Sequence, residues 1–534
     1  MSAETSDSKP APAASAAGER DPHELLAEYR AKISAGGGTA AIAAQHAKHK
    51  QTAAERLAQL LDAGSLVELD AYLTHQCTDF GMAQKSFLGD GVRAGYGRID
   101  GRPVYVSSQD FTQMGGSVGL QHAAKIAQMI RRARQNGVPF VQLNDSGGAR
   151  IQEGLDALEG YSRIFFENVQ ASGVVPQVSV ILGPCAGGAV YSPAITDFIV
   201  MMDKISNMFV TGPQVIRAVT GETVTAEALG GATVHSATSG VASFFARDEQ
   251  EALGLVRRLL GFLPANNREL PPRGHSSDPA DRATPELDTF IPADPRKPFE
   301  VRELIHALVD DRDFLEVQPR FAPNLVVGFA RLANYTVGIV ANQPNAMAGV
   351  MDINASDKGA RFIRFCDAFN IPLVTLVDVP GFMPGTAQEH GGIIRHGAKM
   401  LYAYAEATVP KLSVIVRKAF GGAFIAFAGR GLGHDLVFAW PTAEIAVMGA
   451  EGAANIIFKN EIEAAPAEQQ AAVRQQRIAE YRSTFGRPYL AATRGYVSAV
   501  IAPRETRWQL VQALEMTLRQ RKDKPERKHG NIPL

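Results

Sequence analysis

Two glycine pairs stand directly behind apolar runs and ahead of helix-forming sequence: Gly187-Gly188 and Gly421-Gly422. Glycine lets a backbone approach a ligand closely, and a turn at that point aims free N–H groups outward. The N-terminus of a following helix adds partial positive charge. Together these make an oxyanion hole, which stabilises charge developing on a carbonyl oxygen. The competing reading is that such pairs only permit tight strand–helix packing. One pair in each part of the chain implies two carbonyl groups, one on each reactant.

A second glycine-rich turn accompanies each pair: Asp145-Ser146-Gly147-Gly148-Ala149-Arg150 and Pro380-Gly381-Phe382-Met383-Pro384-Gly385. Arg150 could meet a phosphate or hold its loop by a structural ion pair, and the residue types leave both open. A third segment, Gly115-Gly116-Ser117-Val118-Gly119, precedes a helix expected over 121–132. It matches the G-x-S-x-G hydrolase pattern. However, a nucleophile elbow needs its serine immediately after a strand, and the strand expected over 104–107 ends about ten residues too early. Residues 392–397 lack the lysine of a P-loop. No H-E-x-x-H and no paired-cysteine metal motif occurs. His122 and His396 lie on expected helices and read as capping or structural groups. With no evident nucleophile, metal or base, chemistry run by oxyanion holes must take its base from elsewhere, such as a cofactor.

The elements that must position these turns repeat. Residues 136–145 match 369–378, with Pro139 over Pro372 and Asp145 over Asp378; 175–181 match 409–415; 186–189 match 420–423; and 197–201 match 435–439. Four landmarks in order, at an offset of 233–238, indicate a tandem duplication. Each half reads as proline, buried apolar strand, glycine turn, long helix, proline, second strand, Gly-Gly turn and helix. Continuous Val/Ile/Leu strands alternating with helices point to an α/β fold with parallel strands covered on both faces. Between Pro264 and Pro298, 35 residues hold eight of the 30 prolines. This places a proline-rich linker at 271–297 between an N-terminal domain over 21–270 and a C-terminal domain over 298–534. Asp21-Pro22-His23-Glu24 reads as a helix start with a capping box, and residues 1–20 as a disordered tail.

Composition narrows the class. The chain has 534 residues, is 46% hydrophobic and carries a net charge of -1, which supports a buried core and argues against a nucleic-acid binder. Its 3 cysteines, Cys77, Cys185 and Cys366, are far apart, so a reducing, cytoplasmic setting is expected. No run is apolar enough to suggest a membrane span.

On these residues the chain resembles acyl-CoA carboxylase β subunits, the carboxyltransferases of biotin-dependent carboxylases. Residues 145–154, 186–193 and 209–213 resemble the family's N-terminal half. Residues 379–385, 388–391, 417–423, 446–452 and the closing 531–534 resemble its C-terminal half. The resemblance implies two crotonase-like (ClpP/enoyl-CoA hydratase) domains. It implies transfer of a carboxyl group from carboxybiotin to the α-carbon of an acyl-CoA, with biotin itself supplying the base. It implies that Gly187 and Gly188 hold the thioester enolate, and that Gly422 and Ala423 hold the biotin ureido oxygen. Gly115, Gly116, Ser146, Gly147, Gly148, Arg150 and Ile425 would then bind substrate. It further implies a β hexamer with sites shared between subunits, and an α partner that carries the biotin and the biotin carboxylase, since neither a Met-Lys-Met biotinylation site nor an ATP module occurs here. No metal is implied. The zinc-ribbon cysteines of the split bacterial acetyl-CoA enzyme are absent.

Two departures bear on substrate. Ile425 stands where propionyl-type members carry Asp, and members with Ile there accept acetyl-CoA as well as propionyl-CoA; the alternative is that Ile425 is core. Gln113-Met114 is also atypical for the family. A sodium-pumping decarboxylase subunit shares this fold and runs the reaction backwards, and a non-catalytic scaffold is a third reading.

Overall fold

Phe140–Ser146 and Leu373–Val379 are buried at every position, as strands covered on both faces must be. They are the central strands of two eight-stranded sheets in a computed structural model that describes residues 20–294, 297–520 and 522–534. The expected tail therefore lies outside the described residues, except for Arg20.

The first sheet comprises β1 (Val67–Glu68), β2 (Val92–Ile99), β3 (Arg102–Gln109), β4 (Phe140–Ser146), β5 (Gln177–Ala186), β6 (Phe198–Met202), β7 (Asn207–Phe209) and β8 (Phe244–Ala246). The second comprises β9 (Phe314–Val317), β10 (Leu325–Leu332), β11 (Tyr335–Asn342), β12 (Leu373–Val379), β13 (Lys411–Phe420), β14 (Leu436–Ala439), β15 (Glu444–Ala446) and β16 (Ala499–Val500). The order 1-2-3-4-5-6-8 with β7 on β5 is repeated as 9-10-11-12-13-14-16 with β15 on β13. Every strand of one half has its counterpart in the other, as the tandem duplication requires.

The sheets are mixed rather than wholly parallel. Strands β1 to β3 and β9 to β11 are antiparallel, and the rest are parallel. The cause is a two-residue hairpin in each half. Asp100 and Gly101 take φ of 50° and 77°, and Ala333 and Asn334 take 48° and 68°. Two successive residues with positive φ make a type I′ turn, whose twist suits antiparallel strands.

Asp21 caps the helix Pro22–Ala35 through its bond from the His23 N–H, without the expected capping box. The box forms instead at Thr52 and Glu55, opening Ala53–Leu60. The helix expected over 121–132 runs Leu120–Asn136.

One apolar core runs through both halves. Phe198 meets Phe365 edge-on at 4.6 Å, and Phe329 touches Phe262, Phe362 and Phe365. The proline-rich stretch is packed rather than free. Leu287 is buried in the core of the second sheet, and Arg282 donates to the carbonyls of Ala307 and Val309.

Candidate active site

The glycine turns all lie at the carboxyl ends of parallel strands, where open α/β sheets bind ligands. In the first half three of them pack into one cradle. Gly147 N–H donates to Gly115 O at 3.0 Å, Val118 N–H to Gly148 O at 2.9 Å, and Ser146 Oγ to Gly116 O at 2.6 Å. Gly148 in turn lies against the last carbonyl of β5, with its Cβ position 3.0 Å from Ala186 O. Gly116 has φ 62°, and a Cβ there would stand 2.2 Å from Asp145 O, so only glycine fits. Gly115 and Gly147 reach the surface, whereas Gly116, Ser146 and Gly148 are buried.

The second half repeats the cradle. Met347, Ala348 and Gly349 take φ of 49°, 54° and 76°, against 49°, 62° and 62° for Met114, Gly115 and Gly116. Met351 N–H donates to Gly381 O at 3.0 Å. This third turn escaped the sequence comparison, although Met114-Gly115-Gly116 and Met347-Ala348-Gly349 stand at the same offset as Asp145 and Asp378.

The two Gly-Gly turns share a left-handed first residue and differ in the second. Gly187 has φ 63° and Gly421 has φ 59°, so the backbone demands glycine at both. Gly188 is tight, its Cβ position 3.3 Å from the ring of Tyr161. Gly422 is different. Its φ is not in the left-handed region, its nearest neighbour is Phe382 at 3.8 Å, and it is exposed. Neither backbone nor packing requires a glycine there. It opens the helix Gly421–Ala428, whose N-terminus has no side-chain cap, and the turn at Gly187 is likewise uncapped. First-turn N–H groups have no partner within a helix, and no side chain caps either turn. Ala423 follows with its side chain buried, while Ile425, on the same face as Gly422 one turn on, is 49% exposed. That exposure sets aside the reading of Ile425 as core.

Arg150 resolves to the structural of its two readings. It is buried, and its guanidinium donates to Asp90 at 2.6 Å, to Glu153 at 2.8 Å and to Ser117 O at 2.8 Å. No donor is left facing the cleft. Ser117 stands beside this guanidinium on an irregular turn, far from an elbow geometry. His122 is fully buried against Asp90. Burial, then Arg150, pulls it down to about 3, so it stays neutral. Burial pushes the Cys185 thiol, beneath the Gly187 turn, up to about 12. His396 pairs with Asp357 at 2.8 Å.

A buried carboxylate anchors each cradle, and the sequence reading assigned it no role. Asp145 and Asp378 sit where the β4–β5 and β12–β13 registers shift. Asp378 is held by Arg417 of β13 at 2.7 Å. Asp145 is held by Lys50 at 2.7 Å and Arg56 at 2.8 Å, which arrive from the N-terminal segment. The position matching Arg417 is Gly183, where a Cβ would stand 2.0 Å from Asp145 Oδ1. The missing side chain is what admits Lys50 and Arg56. Among the described residues, no hydrogen bond joins the glycine turns of one half to those of the other, and no group of three or more His, Cys, Asp or Glu is placed to hold a metal.

The family model described as "Carboxyl transferase domain" matches residues 44–532. Methylmalonyl-CoA decarboxylase subunit alpha of Veillonella parvula is 55% identical over 96% of this chain and 98% of its own length. The propionyl-CoA carboxylase beta chain of Roseobacter denitrificans is 53% identical over 96% and 100%. The crystal structure of transcarboxylase 12S superposes with a TM-score of 0.94 at 53% identity, covering 97% of this chain and 99% of that one. The duplicated sheets thus have the crotonase-like fold, and the chain belongs to the carboxyl transferase family.

Proposed function

We propose that this chain is the carboxyltransferase subunit of a biotin-dependent acyl-CoA carboxylase acting on short acyl-CoAs. The observation that carries the reading is Gly422, a glycine that neither φ nor packing explains, at the open, uncapped end of a helix. A carbonyl oxygen is the guest that such a position admits. Carboxybiotin, carried on a partner subunit, would supply the carboxyl group and the base. This chain's own residues bind and polarise. The N–H groups of Gly422 and Ala423 hold the ureido oxygen of the biotin. Those of Gly187 and Gly188 hold the thioester oxygen as negative charge builds on it. Gly115 and Gly147 border the acyl-CoA, and Gly116, Ser146 and Gly148 set their backbone. No side-chain base is required, in keeping with a neutral His122 and a protonated Cys185 beside the cradle.

The two sets of turns belong to different halves with no hydrogen bond between them. A complete site therefore suits an assembly in which one copy's first half faces another copy's second half. The 12S relative is described as a hexamer and was crystallised with methylmalonyl-CoA. We infer a hexamer here too, working with a biotin-carrying α subunit. Widely separated free cysteines and the lack of a helix long and apolar enough to cross a membrane among the described residues fit a cytoplasmic setting.

A decarboxylase subunit is the second reading, favoured by the 55% identical relative. ATP-driven carboxylation of an acyl-CoA panel, acetyl through octanoyl, with the purified biotin-carrying partner separates the two. Carboxylation of the short members supports the carboxylase. Activity confined to breakdown of methylmalonyl-CoA supports the decarboxylase. A chain active as an isolated monomer by light scattering would contradict the shared site.

Ile425 sets a further expectation. Half-exposed and one helical turn from Gly422, it offers an apolar wall. A methylene in such a pocket is worth only about 1–3 kcal/mol, so choice between acetyl and propionyl is relaxed. Ile425→Asp depresses acetyl-CoA turnover more than propionyl-CoA turnover. An unchanged ratio of kcat/KM between the two substrates would hand chain-length choice to other residues.

A further inference from the structure

An aromatic ring lies beside each Gly-Gly turn, but the two halves bring it from different elements. In the second half it is Phe382, from the loop after β12, lying 3.8 Å from the Cβ position of Gly422. Gly397, on the helix Ile393–Glu406, makes room for it, since a Cβ there would stand 3.0 Å from the same ring. In the first half the ring is Tyr161, on the helix Leu155–Ala171, at 3.3 Å from the Cβ position of Gly188. The bridges Val118↔Ala149 and Met351↔Phe382 equate Phe382 with Ala149. The inward positions of the two helices equate Ala157, Tyr161, Ile164 and Asn168 with Ile393, Gly397, Met400 and Tyr404 at constant spacing. A large loop residue over a small helix residue has thus become a small loop residue under a large helix residue. The exchange keeps the ring and changes its type from Phe to Tyr.

The hydroxyl is the part that packing does not explain. Tyr161 is 4% exposed, and its Oη has no hydrogen-bond partner in the structure. Leaving a buried hydroxyl unsatisfied is unfavourable, and Phe382 shows that a bare ring can fill the equivalent space. Burial pushes the phenol far above its ordinary range, so it stays a donor. Cys185 reinforces that rise, and Ser146, close enough to act on the phenol though not in hydrogen-bond geometry with it, opposes it. Ser146 Oγ donates to Gly116 O and accepts from Gly148 N–H at 3.1 Å, which leaves one lone pair free.

We infer that Tyr161 is a positioning residue of the thioester half. Its ring sets Gly188, and its hydroxyl donates to Ser146 Oγ when the cradle tightens around the acyl-CoA, locking the Gly147-Gly148 turn to the Gly187-Gly188 turn. Hydrogen bonds at such sites are often long before substrate binds. The inference rests on the function proposed above.

The test is Tyr161→Phe in the full-length oligomer, assayed in reverse with methylmalonyl-CoA and free biotin, beside its unfolding midpoint. A midpoint equal to or above that of the parent is expected, because an idle buried hydroxyl is gone. The kcat/KM for methylmalonyl-CoA falls about tenfold, the worth of one neutral hydrogen bond, while the KM for biotin holds. Ser146→Ala gives a similar fall, and the double variant is no worse than the poorer single one. A Tyr161→Phe protein with parental kcat/KM overturns the inference. So does a loss shared by both substrates with a lowered midpoint, which would mean packing alone. A parent without any transfer overturns the proposed function, and this inference with it.

Discussion

Gly422→Val lowers carboxyl transfer by about 100–1000-fold, the cost of losing one oxyanion hole, or about 2.7–4 kcal/mol. The substitution is a clean probe because the fold tolerates it. The backbone at Gly422 is ordinary helix, and the nearest atom to a new Cβ is 3.8 Å away. The methyl groups of valine then occupy the space of the guest carbonyl oxygen rather than that of a protein atom. The unfolding midpoint stays near that of the parent, and affinity for acyl-CoA, whose proposed site is in the other half, changes little. Gly421→Val serves as the contrast. There φ is 59° and a Cβ would meet Val447 O at 3.2 Å, so stability falls as well. Near-normal turnover in folded Gly422→Val would remove this turn from the active site.

The second large effect is on stability. Asp145→Ala destabilises the protein by about 3–5 kcal/mol, because removing one member of a buried ion cluster strands the others. Lys50 is 6% exposed and Arg56 fully buried, and only Arg56 keeps another carboxylate, Glu249, at 2.7 Å. The denaturant midpoint reports the loss. Adding Lys50→Met to Asp145→Ala recovers part of it, since the stranded ammonium is gone. A single variant as stable as the parent would show that the cluster contributes no net stability.

The duplication was legible in the sequence because the landmarks that fix a parallel strand and its turn, such as Pro139 with Pro372 and Asp145 with Asp378, recur in order. The Gly-Gly turns were legible for the same reason. The antiparallel hairpins were missed, although Asp100-Gly101 is a strong hairpin signal; Ala333-Asn334 is a weak one. The Met347–Gly349 turn was missed because Ala348 adopts a left-handed conformation that only its neighbours enforce. Arg150 could not be decided from residue type, since its partner Asp90 lies 60 residues away. The anchoring of Asp145 by Lys50 and Arg56 left no local trace at all. It depends on a side chain that Gly183 lacks.

That substitution of a strap for a strand residue also changes the order in which the two cradles assemble. Arg417 lies 39 residues after Asp378, on the adjacent strand, so the second carboxylate finds its partner as its own sheet forms. Asp145 instead waits on Lys50, 95 residues earlier, and Arg56, 89 residues earlier. Closing a loop of 95 rather than 39 residues costs roughly 0.8 kcal/mol more in chain entropy. The cations are made first on the ribosome and must remain hydrated until β4 emerges. Hydrogen exchange pulsed during refolding then finds the amides around Asp378 protected before those around Asp145, so the half proposed to hold the thioester is the later of the two to become rigid.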